Sequence, residues 1–196
     1  ISDTGYPNYV AYPNVDWMDA MFINTVYQKH TLSASGASKR IRFNMSASYL
    51  DNPGVLDNSG LKRFSLRSNI SADITDWIEI GVRAYGYRED TNVGGVDDAS
   101  TYMSRAVPCI YPYYDGKYGW MENAEQNSAS RNNLYHINRI HRNLIRHYIN
   151  ATAFLNVKLP LDIKYHASFN YIQNESISKT HDSLMNAYSF SRDQWP

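Results

Sequence analysis

The stretch "IRFNMSASYL" (41–50) alternates, with Ile41, Phe43, Met45, Ala47 and Tyr49 on one side and Arg42, Asn44, Ser46 and Ser48 on the other. A period of two describes a strand with one apolar and one wet face. It does not decide whether the apolar face meets a protein core or lipid. The pattern recurs along the chain. "TVYQKHTLSAS" (25–35) precedes it, and "RFSLRSNISADI" sets Phe64, Leu66, Ile70, Ala72 and Ile74 against Arg63, Ser65, Arg67, Asn69, Ser71 and Asp73. "IEIGVRAYGYRED" opposes Ile78, Ile80, Val82 and Ala84 to Glu79, Arg83, Tyr85 and Tyr87. "LIRHYINATAFLNV" opposes Ile149, Ala151, Ala153, Leu155 and Val157 to Tyr148, Asn150, Thr152, Phe154 and Asn156, and "IKYHASFNYI" opposes Ile163, Tyr165, Ala167, Phe169 and Tyr171 to Lys164, His166, Ser168 and Asn170. Six strands in a meander are predicted. Leu134, Ile137, Ile140 or His141, Leu144 and Tyr148 also fall at helical spacing, so residues 134–148 read equally as helix or strand.

The connections alternate in length: "GASK", then "DNPGVLDNSG", then "TDW", then a long Gly- and Pro-containing span from Thr91 to about Asn143, then "LPLD". The two ends of a soluble sandwich have no reason to differ in this way, whereas an outer-membrane barrel has short periplasmic turns and long outer loops. Charge placement agrees. Arg42, Arg63, Arg67, Arg83, Arg146 and Lys164 all lie on the polar parity; Arg88, near an outer strand end, is the exception. A solvent-facing sheet would show the same bias, so this is a necessary condition for a barrel and not a sufficient one. The predicted organisation is a lead-in at 1–24, six strands within 25–174 with outer loops at about 51–61 and 91–143, and the start of a further outer loop at 175–196. The polar opening without a signal peptide and the ending "SFSRDQWP" predict a piece of a longer protein.

Composition narrows the function. Lys plus Arg and Asp plus Glu both number 19 in 196 residues, so there is no bulk electrostatic case for nucleic acid or for an acidic partner. The single cysteine, Cys109, has no partner for a disulfide or a CxxC site. Mean hydropathy is -0.54 and no run approaches a membrane helix, but a barrel strand of about 10 residues faces lipid with only every second side chain. Tyrosine is abundant, 17 of the residues, and aromatic girdles are a barrel feature.

Together, "YPNVDWMDAMF" and "QKHTLSASGASKRIRFNMSASYLDNPGVLDNSGLKRFSLRSNISADITDWIEIG" resemble the SusC/RagA family of TonB-dependent outer-membrane transporters of Bacteroidetes. The matching elements are Asp16, Trp17, Asp19 and Phe22; Thr31 to Gly36; Tyr49, Leu50, Asp51 and Gly54; Lys62, Arg63, Ser65, Arg67 and Asn69; and the "TDW" turn before Ile78, Ile80 and Gly81. "SRAVPCIYPYYDGKYG" is similar to an outer-loop segment of the family. The resemblance implies an all-β, antiparallel up-and-down transmembrane β-barrel, here about six of 22 strands, in the cell outer membrane. It further implies a plug domain lying outside this chain, energy delivered through TonB, a SusD-like surface lipoprotein as partner, and a glycan or oligopeptide substrate. Outer-membrane lipid and lipopolysaccharide would surround the wall.

On this reading Arg42, Asn44, Arg63, Arg67, Asn69 and Arg83 face the lumen, against the plug or the substrate path. Tyr111, Tyr113, Tyr114, Tyr118 and Trp120, in "YPYYDGKYGW", form a sugar-stacking platform, a contact for a lipoprotein lid, or a loop folded onto itself. His136, His141 and His147 are spaced five and six apart without a partner ligand, which does not suit zinc. His141 and His147, with Arg139, Arg142 and Arg146, predict a basic rim near the outer leaflet. The N-x-S/T matches at Asn44, Asn69, Asn150 and Asn174 are accidents of a Ser/Asn-rich face. No catalytic motif, metal site or cofactor site stands out, so no enzyme is predicted. The rival expectation is a soluble β-sandwich that binds carbohydrate.

Overall fold

A strand amphipathic at period two leaves its backbone groups unpaired until a neighbour lies beside it, and in this chain each strand pairs with the next. The computed structural model describes residues 2–95, 103, 106–120, 132–185 and 187–193. Six long strands run β1 (Gln28–Ala37), β2 (Ile41–Pro53), β3 (Gly60–Asp73), β4 (Ile78–Asn92), β7 (Ile140–Lys158) and β8 (Lys164–Asp182). The outer connection between β4 and β7 carries two short strands, β5 (Tyr113–Tyr114) and β6 (Lys117–Gly119). The six form one sheet in the order β1-β2-β3-β4-β7-β8, antiparallel at every step and not closed.

Short connections end the strands on one side. Ser38 Oγ accepts from the backbone of Ile41 at 3.1 Å, and Thr75 Oγ1 accepts from Ile78 N at 3.0 Å. Leu159 N donates to the Ile163 carbonyl at 2.8 Å, and between them Leu161 and Asp162 take positive φ values of 64° and 58°, which reverses the chain within three residues. On the other side the strands outrun any bilayer: β7 and β8 have 19 residues each, against the roughly 9–11 that a tilted strand needs to cross. The sixth strand therefore passes Asn174 and reaches Asp182, so the loop expected from 175 starts later. The ambiguous 134–148 span holds both forms, α3 (Asn133–Arg139) and then the start of β7.

Register carries the two-faced pattern across the sheet. Ala34, Met45, Ser68, Ala84, Ala151 and Tyr171 form one cross-strand row on the apolar face. Leu32 and Phe169 on this face are 78% and 71% exposed. Arg88 stands opposite Phe64 and His147, and the next row outward on its face contains Asp51, Lys62 and Asp90. The apolar belt thus ends at Arg88 on this strand.

Among the described residues every buried hydrophobic side chain lies outside these six strands. The buried core is in the outer connections, with α1 (Asn8–Ala11) and α2 (Trp17–Met21): Trp17, Met21, Leu56, Ile110 and Ile137 form one cluster, and Val10, Tyr188 and Phe190 another. A sandwich needs a second sheet over the apolar face. The second sheet here, β5-β6-β9 with β9 at Ala187–Tyr188, has strands of two and three residues and is too small to supply that cover.

Gly81 is a point of close approach on the polar face. A Cβ there would lie within 2.4 Å of the Phe154 ring and 2.8 Å from the Ile70 carbonyl oxygen. Gly81→Val is expected to push the ring aside and cost about 1–3 kcal/mol, read as a lower thermal midpoint of the intact protein in detergent. Adding Phe154→Ala should recover part of the loss, and a double variant no better than the single one would locate the strain at the carbonyl instead.

Candidate functional site: the polar face of the sheet

Near the short turns, one network crosses five strands. Arg42 Nη1 donates to Asp73 at 2.9 Å and its Nη2 to Glu79 at 2.6 Å. Glu79 also accepts from Asn156 Nδ2 at 2.8 Å, and Asn156 is joined to His166 at 2.6 Å. Here one guanidinium serves two carboxylates and the bonds link all five strands, which suits a structural clamp.

Toward the long loops the balance changes. Glu89 is 2% exposed, and its carboxylate is held by Arg63, with Nε at 2.8 Å, and by Arg146 at 3.2 Å. Arg63 also lies 5.1 Å from the centroid of Tyr87, and Tyr87 stacks on Tyr148 at 5.3 Å. Arg67 lies over Tyr85 at 5.2 Å and Arg83 over Phe154 at 4.8 Å. Such contacts favour the cation without neutralising it. Asn44 stands opposite Asn69, and Asn69 opposite Arg83. All six expected lumen-side residues therefore share one face, but in two settings: Arg42 in the clamp, the others in the richer zone above it.

Sequence reasoning missed Glu89, Tyr85, Tyr87, Tyr148 and Asn150 as members of this site, although parity marks each of them. Arg146, expected on the polar parity as well as in the basic rim, turns to Glu89 on the polar face. Because Glu89 is buried while both arginines are about half exposed, losing an arginine is worse for the carboxylate than the reverse. Arg63→Ala is expected to cost about 2 kcal/mol of stability, in the range for hydrogen bonds to a charged group. Arg63→Ala with Glu89→Leu should cost less than Arg63→Ala alone; a strictly additive pair in thermal unfolding would contradict the pairing.

The five loop aromatics divide. Tyr111 and Tyr114 pack edge-on to Phe190 at 6.5 and 6.1 Å, while Tyr118 and Trp120 flank Tyr135 at 5.8 and 6.0 Å. Buried Asn132 fixes this segment by donating to the carbonyls of Pro112 at 2.6 Å and Gly119 at 3.0 Å. Tyr113 is half exposed. Burial, with a hydrogen bond to Asp193, holds the Tyr188 phenol above its ordinary pKa. These rings are largely spent on one another.

No protein-family profile matches the chain. TonB-dependent receptor P3 of Formosa agariphila is 35% identical over 82 residues, covering 41% of this chain and 8% of that protein. TonB-dependent receptor SusC of Bacteroides thetaiotaomicron is 31% identical over 58 residues, covering 30% of the chain and 6% of SusC. The matched stretches thus span less than a tenth of these relatives. Among solved structures, the RagAB peptide importer in its closed-closed state superposes with a TM-score of 0.62 at 20% identity, over 84% of this chain and 20% of the other. That likeness places the meander as a segment of β-barrel wall. The relatives named are receptors and an importer.

Proposed function

We propose that the chain is a stretch of a TonB-dependent receptor of the SusC/RagA family and builds part of the wall of an outer-membrane importer, a reading supported by its likeness to such receptors and to the RagAB importer. The importer is energised through TonB, works with a SusD-like surface lipoprotein and takes up a glycan or oligopeptide. The chain itself has no catalytic role. One observation carries the membrane reading: the sheet presents an open apolar face while every buried hydrophobic among the described residues lies in the outer connections. Contiguous apolar surface of this extent needs an apolar partner, and lipid provides one. The opposite face, with Arg42, Asn44, Arg63, Arg67, Asn69 and Arg83, fronts the plug or the substrate path.

The test is membrane fractionation of the intact protein with gel migration before and after heating. Recovery from the outer membrane, with a fast-migrating unheated form, is expected of a closed barrel. Extraction as a soluble monomer in buffer would sink the proposal. Co-isolation of a surface lipoprotein with the receptor tests the partner separately.

A further inference from the structure

If this face lines the importer's passage, its surplus of guanidinium narrows the cargo. From the row Asn44-Asn69-Arg83-Thr152-Asn170 up to the row Leu50-Arg63-Glu89-Arg146-Ser176, the cations Lys29, Arg63, Arg67, Arg83 and Arg146 meet the carboxylate of Glu89 alone. Glu89 is already engaged by Arg63 and Arg146. Arg67 and Arg83 have no ion-pair partner among the described residues. They are diagonal neighbours across β3 and β4, so their backbones stand about 7–8 Å apart and both side chains can reach one anion.

These two arginines line one concavity with Asn69, Tyr85, Asn150 and Thr152. The Oδ1 of Asn150 is buried there without a hydrogen-bond partner among the described residues, and such an acceptor is costly until a donor arrives. The site therefore asks for an oxyanion and, close to it, a hydroxyl. Its amide, hydroxyl and phenol lining suits ring hydroxyls better than the alkyl side chains of a peptide.

We propose that this concavity binds a hexuronate unit of an acidic oligosaccharide, with the sugar carboxylate between Arg67 and Arg83 and a ring hydroxyl donating to Asn150. This inference rests on the importer reading above and names its substrate class. Guanidinium and carboxylate match in geometry as well as charge, and the attraction weakens as salt is raised.

The test is calorimetric titration of the intact receptor, purified from outer membranes in detergent, with tetramers of galacturonate, mannuronate and glucuronate, with their methyl esters, and with tetraglutamate. At least one uronate tetramer should bind, its ester about tenfold more weakly. Arg67→Gln and Arg83→Gln should each weaken the acid about tenfold, as expected when a charge-assisted contact is lost, and Arg88→Gln on the other face should leave it unchanged. The acid-against-ester comparison uses the natural protein, so it stands even where a variant folds poorly. Equal binding of acid and ester, binding of no uronate tetramer, or arginine-dependent binding of tetraglutamate in preference to uronates would overturn the inference. Fractionation of the same preparations separates the two layers: an outer-membrane receptor indifferent to uronates refutes the substrate class alone, and a soluble one refutes the importer reading beneath it.

Discussion

Replacing Met45 by arginine is expected to remove most of the folded, heat-modifiable receptor from the outer membrane, while arginine at the adjacent Ser46 leaves most of it in place. Met45 sits midway along the apolar face of β2, opposite Ala34 and Ser68. An arginine at the lipid-facing midplane costs roughly 2–4 kcal/mol, a large share of the few kcal/mol of net stability that a domain keeps. Ser46 points the other way, opposite Ser33 and Arg67. Its substitution meets one like charge across the ladder, a penalty of up to about 1 kcal/mol. The measurement is the ratio of folded to heat-denatured species on gels of outer-membrane fractions. Equal losses for the two variants would contradict the assignment of faces.

The faces were legible because a one-residue slip in a strand would carry its whole apolar set to the wrong side. That constraint holds only where one side must be apolar. Beyond the belt it lapses, and Arg88, His147 and Glu175 share the parity of Leu66 and Ile149 without sharing their surroundings. Strand ends were therefore hidden, and β8 ran on to Asp182 through a segment with no clean alternation. The helical spacing from Leu134 to Tyr148 was half right for a physical reason: α3 buries Ile137 in the outer cluster, while the residues after Arg139 join the ladder with β8. The Arg63-Glu89-Arg146 contact was invisible in sequence, because the register of β4 against β7 is set across a connection of many residues. The loop aromatics looked equally able to meet a ligand or one another, since composition cannot say which rings face inward.

The largest local effect is expected at Trp17. It lies 6% exposed on α2, against Met21, Leu56, Ile110 and Ile137, and its Nε1 donates to the Val107 carbonyl at 2.8 Å. Asp16 starts that helix by accepting from the backbone of Met18 at 2.9 Å, so the ring is delivered from a fixed turn. The cluster draws on the lead-in to β1, the connection between β2 and β3, the long connection after β4, and α3. One ring thus fastens separate outer segments together. Trp17→Ala removes the ring and its donor, leaving a cavity and an unpaired carbonyl, at a cost of about 3–5 kcal/mol. Because the sheet contributes no buried hydrophobic side chain to this cluster, the loss should stay in the outer connections. The heat-modifiable barrel should form as before. Protease added to intact cells should cut the outer segments at least about a hundredfold faster, as cleavage follows the population of the open form. Trp17→Phe, which keeps most of the packing and loses the hydrogen bond, should fall between. Unchanged proteolysis would show that the outer segments do not depend on the ring, and loss of the barrel would show that the two bodies fold as one.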